Sequence, residues 1–209
     1  MIGIIDYGMG NLFSVSKALE RLEVDYVLGN RPADLANCDG YILPGVGAFP
    51  DAMKALEAHG FIPFIKEKVE NGVPLYGICL GMQLLFDLSH EGGETEGLGL
   101  LKGEITRFSG MDEEGSSYKV PHMGWNQLNI HQPGQPLLKE VKEDHVYFVH
   151  SFVVQTKDPS ILYATSDYHV EVPAIIGKGN LVASQFHPEK SGRAGMQLLE
   201  NFCKVLCKK

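Results

Sequence analysis

In the first eighty residues short apolar runs alternate with stretches of helical periodicity, and few architectures accommodate that order. The runs are Ile2 to Ile5, Tyr26 to Leu28, Tyr41 to Leu43 and Leu75 to Ile78, with Leu12, Val15, Leu19 and Leu22 on one helical stripe between the first two. Near-continuous apolar strands suit a parallel sheet buried on both faces, and the intervening helices supply the covers. Gly8, Gly10, Pro44, Gly45 and Pro74 mark the strand ends. The pattern predicts helices near 11–21, near 51–70 with a break around Gly60 to Pro63, and near 80–88. From about residue 98 it changes to short strands between polar turns: Gly103 to Phe108, Asn126 to Ile130, Val146 to Val149, Val153 to Thr156, Ala174 to Ile176 and Leu181 to Phe186. These are expected to extend the same sheet in antiparallel fashion. Leu198, Leu199, Phe202, Cys203 and Leu206 then form the stripe of a closing helix. Ser109 to Ser117 reads as a solvated loop. The expected fold class is α/β, a single domain over 1–209 with a mostly parallel sheet flanked by helices and an antiparallel extension.

A chain of 209 residues can bury a core without staples, and its four cysteines, Cys38, Cys79, Cys203 and Cys207, lack the spacing of a disulfide scaffold. The formal charge of -8 argues against a broad footprint on nucleic acid or anionic lipid. No apolar run approaches the roughly 20 residues of a membrane span, so the chain reads as soluble, unexported and cytoplasmic.

The sharpest local signal is Gly77-Ile78-Cys79-Leu80-Gly81, which follows an apolar strand and precedes the run Met82 to Leu88. It has the form of a nucleophile elbow, a tight strand-to-helix corner whose flanking glycines let neighbouring backbone pass. A small core residue between two turn glycines is the competing reading. A thiol nucleophile needs a proton shuttle, and of eight histidines His187 is the best placed: it ends a strand and precedes Pro188 and Glu189. Extended backbone there puts His187 and Glu189 on the same side, where the carboxylate orients the imidazole. Alone, His-Pro-Glu is also an ordinary strand-end turn. Gly8-Met9-Gly10 is a weak dinucleotide signal, because Phe13 replaces the third glycine. No second His or Cys stands at a metal-ligand spacing from His187 and Glu189, so neither metal nor cofactor is expected.

The elbow, extended through Met82-Gln83, and Gln185-Phe186-His187-Pro188-Glu189 resemble the triad-type (class I) glutamine amidotransferases, and the resemblance covers essentially the whole chain. Asp6 to Leu12, Pro44 to Gly47, Pro121 to Asn126, Tyr147 to Ser151 and Lys190 to Gly192 narrow it to glutaminase subunits that feed a cyclase of histidine biosynthesis. Phe13 and Phe49 stand where that family is expected to vary. The resemblance implies that Cys79 attacks the glutamine amide, that His187 protonates departing ammonia, and that Glu189 holds His187. It implies an oxyanion hole from Leu80 with Val46 and Gly47, provided a peptide of that turn reorients. Gly45, Gln83, Glu91, His150 and Ser151 are implied to contact glutamine. For Glu91 an acidic surface loop, and for His150 a turn carbonyl, are alternative roles. The implied partner is a (β/α)8-barrel cyclase in a heterodimer, met by Asn11, Met123, Trp125 and Lys190. A subunit of another amidotransferase, a free-standing cysteine amide hydrolase and a binding module with an idle elbow are the alternatives; the lack of a second catalytic domain favours a subunit.

Overall fold

The computed structural model describes residues 1–207. In chain order the elements are β1 (Ile2–Ile5), α1 (Leu12–Arg21), β2 (Tyr26–Gly29), β3 (Gly40–Gly45), α2 (Phe49–Ala58), α3 (Phe61–Glu70), β4 (Leu75–Cys79), α4 (Leu80–Gln83), β5 (Leu88–Ser89), β6 (Thr95–Glu96) and β7 (Glu104–Arg107). They continue with β8 (His122–Gln127), β9 (Asn129–Ile130), β10 (His145–His150), β11 (Phe152–Gln155), β12 (Leu162–Asp167), β13 (Glu171–Lys178), β14 (Leu181–Ser184) and α5 (Gly192–Asn201), which runs into a wider π-type turn at Phe202–Leu206.

The main sheet has the order β2-β1-β3-β4-β14-β13-β12-β9. Its first five strands pair in parallel and the remaining three add antiparallel. Strand alternation divides the core into two layers. Ile5, Leu43 and Leu75 pack with Phe49, Leu56 and Phe61 of α2 and α3, while Ile4, Ile42, Tyr76 and Ile78 pack with Val15, Leu19 and Leu198 of α1 and α5. At ten residues α1 is too short to persist alone in water. Burying Val15 and Leu19, at roughly 1.5–3 kcal/mol each, outweighs its intrinsic deficit. No helix among the described residues is long and apolar enough to cross a membrane.

The structure corrects the expected organisation in three places. The helix predicted over 80–88 stops at Gln83. Leu84, Leu85 and Phe86 are completely buried, and their carbonyls accept from the N–H groups of Leu98, Leu100, Leu101 and Gly99, so a distant segment takes the bonds that helix continuation needs. The predicted strand Asn126 to Ile130 is two strands in different sheets, parted at the buried Leu128. The antiparallel extension is only part of the second half: β10 and β8 form a separate two-stranded ribbon, and β11-β7-β5-β6 a separate four-stranded sheet. Strand β12 was not among the expected strands, and its apolar start at Leu162 to Ala164 is followed by the polar Thr165 and Ser166. Both are buried, and their hydroxyls bond His131 Nε2 (2.7 Å) and the Gln127 carbonyl (2.9 Å).

Candidate active site

Strand β4 passes directly into α4 through Cys79, whose backbone sits at φ 55 and ψ -110. Such a conformation costs a residue with a β-carbon about 1–3 kcal/mol, so the surroundings must enforce it. The glycines show how. A methyl group on Gly77 would lie 2.7 Å from the Gly81 carbonyl oxygen, and one on Gly81 would collide with the Leu43 carbonyl of β3. The elbow is thus wedged against the neighbouring strand, and Cys79 is buried at its apex.

His187 follows β14 and opens the short turn Pro188–Lys190. Its Nδ1–H donates to Glu189 Oε1 at 2.9 Å, and both side chains are almost fully buried. Glu189 Oε2 has no hydrogen-bond partner among the described residues, so the carboxylate acts chiefly on the imidazole. Burial alone pushes the His187 pKa down, but Cys79 on one side and Glu189 on the other outweigh it and raise the value to about 9. Ser191 pins the turn: its Oγ donates to the His187 carbonyl (2.6 Å) and accepts from the Tyr147 N–H of β10 (3.0 Å).

Cys79 and His187 border a cavity of about 370 Å³, and most of the residues singled out from the sequence converge on it. Leu80, Val46, Gly47, Gln83, Glu91, His150 and Ser151 all line its wall, joined by Pro121, Val149 and Phe152. Leu80 opens α4, a position whose N–H has no partner within a helix. Gln83 is buried rather than solvent-facing. Its Nε2 donates to the Phe152 carbonyl (3.1 Å) and to Gln185 Oε1 (2.9 Å). Glu91 Oε2 accepts from the Phe49 N–H (2.8 Å) at the start of α2, which holds the carboxylate at the cavity edge. His150 Nδ1 donates to the Phe152 carbonyl at 2.8 Å, and burial, with His187 nearby, lowers its pKa to about 4 despite that bond.

One expectation needs correction. Gly45 lies behind the pocket wall, where a β-carbon would meet the Tyr7 hydroxyl, Gly81 N and Leu80 Cβ, so close packing of the elbow explains this glycine better than contact with glutamine. The Val46 N–H donates to the Met9 carbonyl at 2.9 Å, so in this conformation it is committed away from the cavity. Sequence reasoning also passed over Gln185 and His122 as site residues. Gln185 Nε2 stands 3.9 Å from Cys79 Sγ, and its signal was an amide, beside Ser184, closing the apolar strand Leu181 to Ala183.

The residues expected to meet a partner occupy the outer ribbon and the turn beside it. Met123 and Trp125 of β8 are 60% and 54% exposed, and Trp125 packs at a tilt on Tyr147, with ring centroids 5.9 Å apart. Lys190 is exposed on a turn that touches both α1 and β10. Asn11 is half-buried, and its side-chain oxygen caps α1 by accepting from the Ser14 N–H (3.4 Å). Phe13, at 73% exposure, and Val46 add to the exposed apolar residues.

The class-I glutamine amidotransferase family model matches residues 3–206. The imidazole glycerol phosphate synthase subunit HisH of Geobacillus sp. (strain WCH70) is 58% identical over 206 residues, covering 99% of this chain and 97% of the relative. Its counterpart in Bacillus subtilis (strain 168) is 51% identical over 205 residues, covering 98% and 96%. A crystal structure of a glutamine amidotransferase superposes with a TM-score of 0.75 at 20% identity, covering 99% of this chain and 98% of that one. A chain of the PurLQS structure from Thermotoga maritima gives 0.71 at 21% identity, covering 96% of each. At those identities the superpositions speak for the α/β amidotransferase fold alone. With the elbow, the His187–Glu189 pair and these full-length sequence matches together, the chain belongs to the class-I glutamine amidotransferases, within the family of HisH subunits of imidazole glycerol phosphate synthase.

Proposed function

We propose that this chain hydrolyses glutamine through a Cys79–His187–Glu189 triad and passes the ammonia to a cyclase subunit that makes imidazole glycerol phosphate and AICAR. As an amidotransferase subunit of the HisH family it is a glutaminase, and it supplies ammonia for histidine biosynthesis. The observation that carries the residue assignment is Cys79 on a strained elbow, sharing one cavity with an imidazole backed by a buried carboxylate. Cys79 Sγ attacks the side-chain carbonyl carbon of glutamine, and the oxyanion that forms meets the Leu80 N–H. Collapse breaks the C–N bond as His187 gives its proton to nitrogen, releasing ammonia and leaving a glutamyl thioester. Water, losing a proton to His187, then breaks the thioester to give glutamate and restores the cysteine. Gln83, Glu91, His150 and Ser151 bind the amino-acid portion of the substrate. The match over 3–206 supports one amidotransferase domain spanning 1–209.

The pH dependence tests the roles of His187 and Glu189. The protonated imidazole is the form that can release ammonia, so kcat/KM is expected to fall as pH rises through about 9. Replacing His187 costs ~10²–10⁴-fold in rate. Glu189→Gln removes one cause of the raised pKa, so its alkaline limb moves to lower pH; an unmoved limb would detach Glu189 from the titration of His187.

The partner reading is a (β/α)8-barrel cyclase docking on Met123 and Trp125, with Asn11 and Lys190 beside them. Trp125 is the only tryptophan, so its fluorescence reports this face directly. Glutamate production is measured with and without the cyclase, and titration of the cyclase is expected to shift the emission. Trp125→Ala is expected to weaken binding by at least about tenfold, the scale of an aromatic anchor. Unchanged emission together with normal binding of Trp125→Ala would move the interface elsewhere.

A further inference from the structure

Next to the triad lies a buried chain of hydrogen bonds whose outer members, Asn126 and His122, have no part in the proposed reaction. Asn126 Nδ2 lies 2.8 Å from His122 Nε2, His122 Nδ1 lies 3.0 Å from His150 Nε2, and His150 Nδ1 lies 2.8 Å from the Phe152 carbonyl oxygen. Its direction is determined from both ends. A carbonyl only accepts, so His150 carries its proton on Nδ1 and offers the Nε2 lone pair to an Nδ1–H of His122. At the other end Asn126 Nδ2 also approaches the Asp167 carbonyl (3.3 Å), which identifies it as the donor to His122 Nε2. Both rings thus hold the Nδ1–H tautomer, and every bond runs from Asn126 towards Phe152.

The His122 ring has no freedom to break this order. It is stacked between Phe148 and Tyr168, at centroid distances of 4.4 and 4.0 Å, and is 1% exposed. The receiving carbonyl also takes the Gln83 Nε2 bond, and Gln83 is linked through Gln185 to Cys79. Two chains of polar contacts therefore meet at one oxygen on the cavity wall, one from the nucleophile and one from the outer ribbon. We propose that His122 is a positioning residue for the glutamine pocket, holding the wall from His150 to Phe152 at its working distance from Cys79 through the chain that begins at Asn126. This rests on the amidotransferase reading and adds to it a residue that does not line the pocket.

The test uses the full chain with its cyclase partner. His122→Phe keeps an aromatic ring in the stack but cannot donate to His150. It is expected to raise KM for glutamine by about tenfold, the effect of one unsatisfied buried acceptor, with kcat within about twofold of the parent. His122→Gln can accept from Asn126 and donate to His150, so it should recover KM to within about threefold. Should His122→Phe fail to fold, Asn126→Asp, at a half-buried strand position, takes its place: a carboxylate cannot donate to His122 Nε2, and KM is again expected to rise. Nitrogen-15 spectra of the histidine rings should show Nδ1–H tautomers for both His122 and His150 whether or not the enzyme turns over. Absence of glutamine hydrolysis in the parent complex would count against the amidotransferase reading while the ring spectra still decide the chain. An Nε2–H tautomer on either ring overturns the proposal, as does an unchanged KM in the variant that breaks the chain, or an equal rise in His122→Phe and His122→Gln.

Discussion

Cys79→Ala is expected to abolish glutamine hydrolysis, by at least ~10⁴-fold, while synthesis driven by added ammonia in the assembled complex stays largely intact. The size of the loss follows from chemistry: no neighbouring side chain offers a nucleophile on the elbow, and the thioester cannot form without sulfur. The fold should tolerate the change. Alanine keeps the β-carbon that already sits at φ 55, and Gly77 and Gly81, whose small size lets the corner pack against β3, are untouched. Paired assays with glutamine and with ammonium salt separate the two steps. Undiminished hydrolysis would remove Cys79 from the mechanism, and equal loss in both assays would mean that the substitution damaged the complex.

The second large effect is activation by the partner. The isolated chain is expected to be a poor glutaminase, and the cyclase with its nucleotide-like substrate or product is expected to raise turnover by about 10²–10³-fold, the worth of one added oxyanion donor. The structure supplies a reason for low resting activity, since the Val46 N–H is engaged with the Met9 carbonyl. Turning that peptide breaks one hydrogen bond, a net cost of about 0.5–1.5 kcal/mol, which partner contacts can readily offset. Met9 lies two residues before Asn11, one of the proposed partner contacts, so a short loop connects that contact to the bond. Gly47, at φ 95, gives the turn a conformation that proline forbids. Gly47→Pro should therefore lose most of the activation, with thermal stability measured alongside to detect a global effect. Full activity in the isolated chain would sink the switch, and undiminished activation of the proline variant would place it outside this turn.

The parallel half of the sheet was legible because each strand and helix announces itself within a few residues. Ile2 to Ile5 must be buried on both faces, and the stripe of Leu12, Val15 and Leu19 must find a sheet. The elbow was legible for the same reason: strain at Cys79 and the closeness of Gly77 to Gly81 are consequences of backbone sterics over five residues. His187 and Glu189 sit two apart, which made the pair legible, but the turn Pro188–Lys190 is a 3-10 turn and not the extended backbone expected, and Ser191 bonded to Tyr147 of β10 holds it in place.

What lay beyond the sequence was decided by competition between distant segments for the same backbone and side-chain partners. Leu84 to Phe86 carry helical residues, yet Leu98 to Leu101 take their carbonyls and end the helix. Gly45 and Val46 are neighbours in a turn, but only packing against Tyr7 and pairing with Met9 put one behind the pocket wall and turn the N–H of the other away from the cavity. His122 and His150 are 28 positions apart, and nothing in either motif says that the two rings will share a hydrogen bond. Periodicity and local sterics are properties of short stretches, and from them the sequence alone determined the parallel strands, the helices that cover them and the strained corner at Cys79. A buried hydrogen bond between remote groups exists only after the chain has closed around it, so the pocket wall and the conformation of its turn were decided by the tertiary structure.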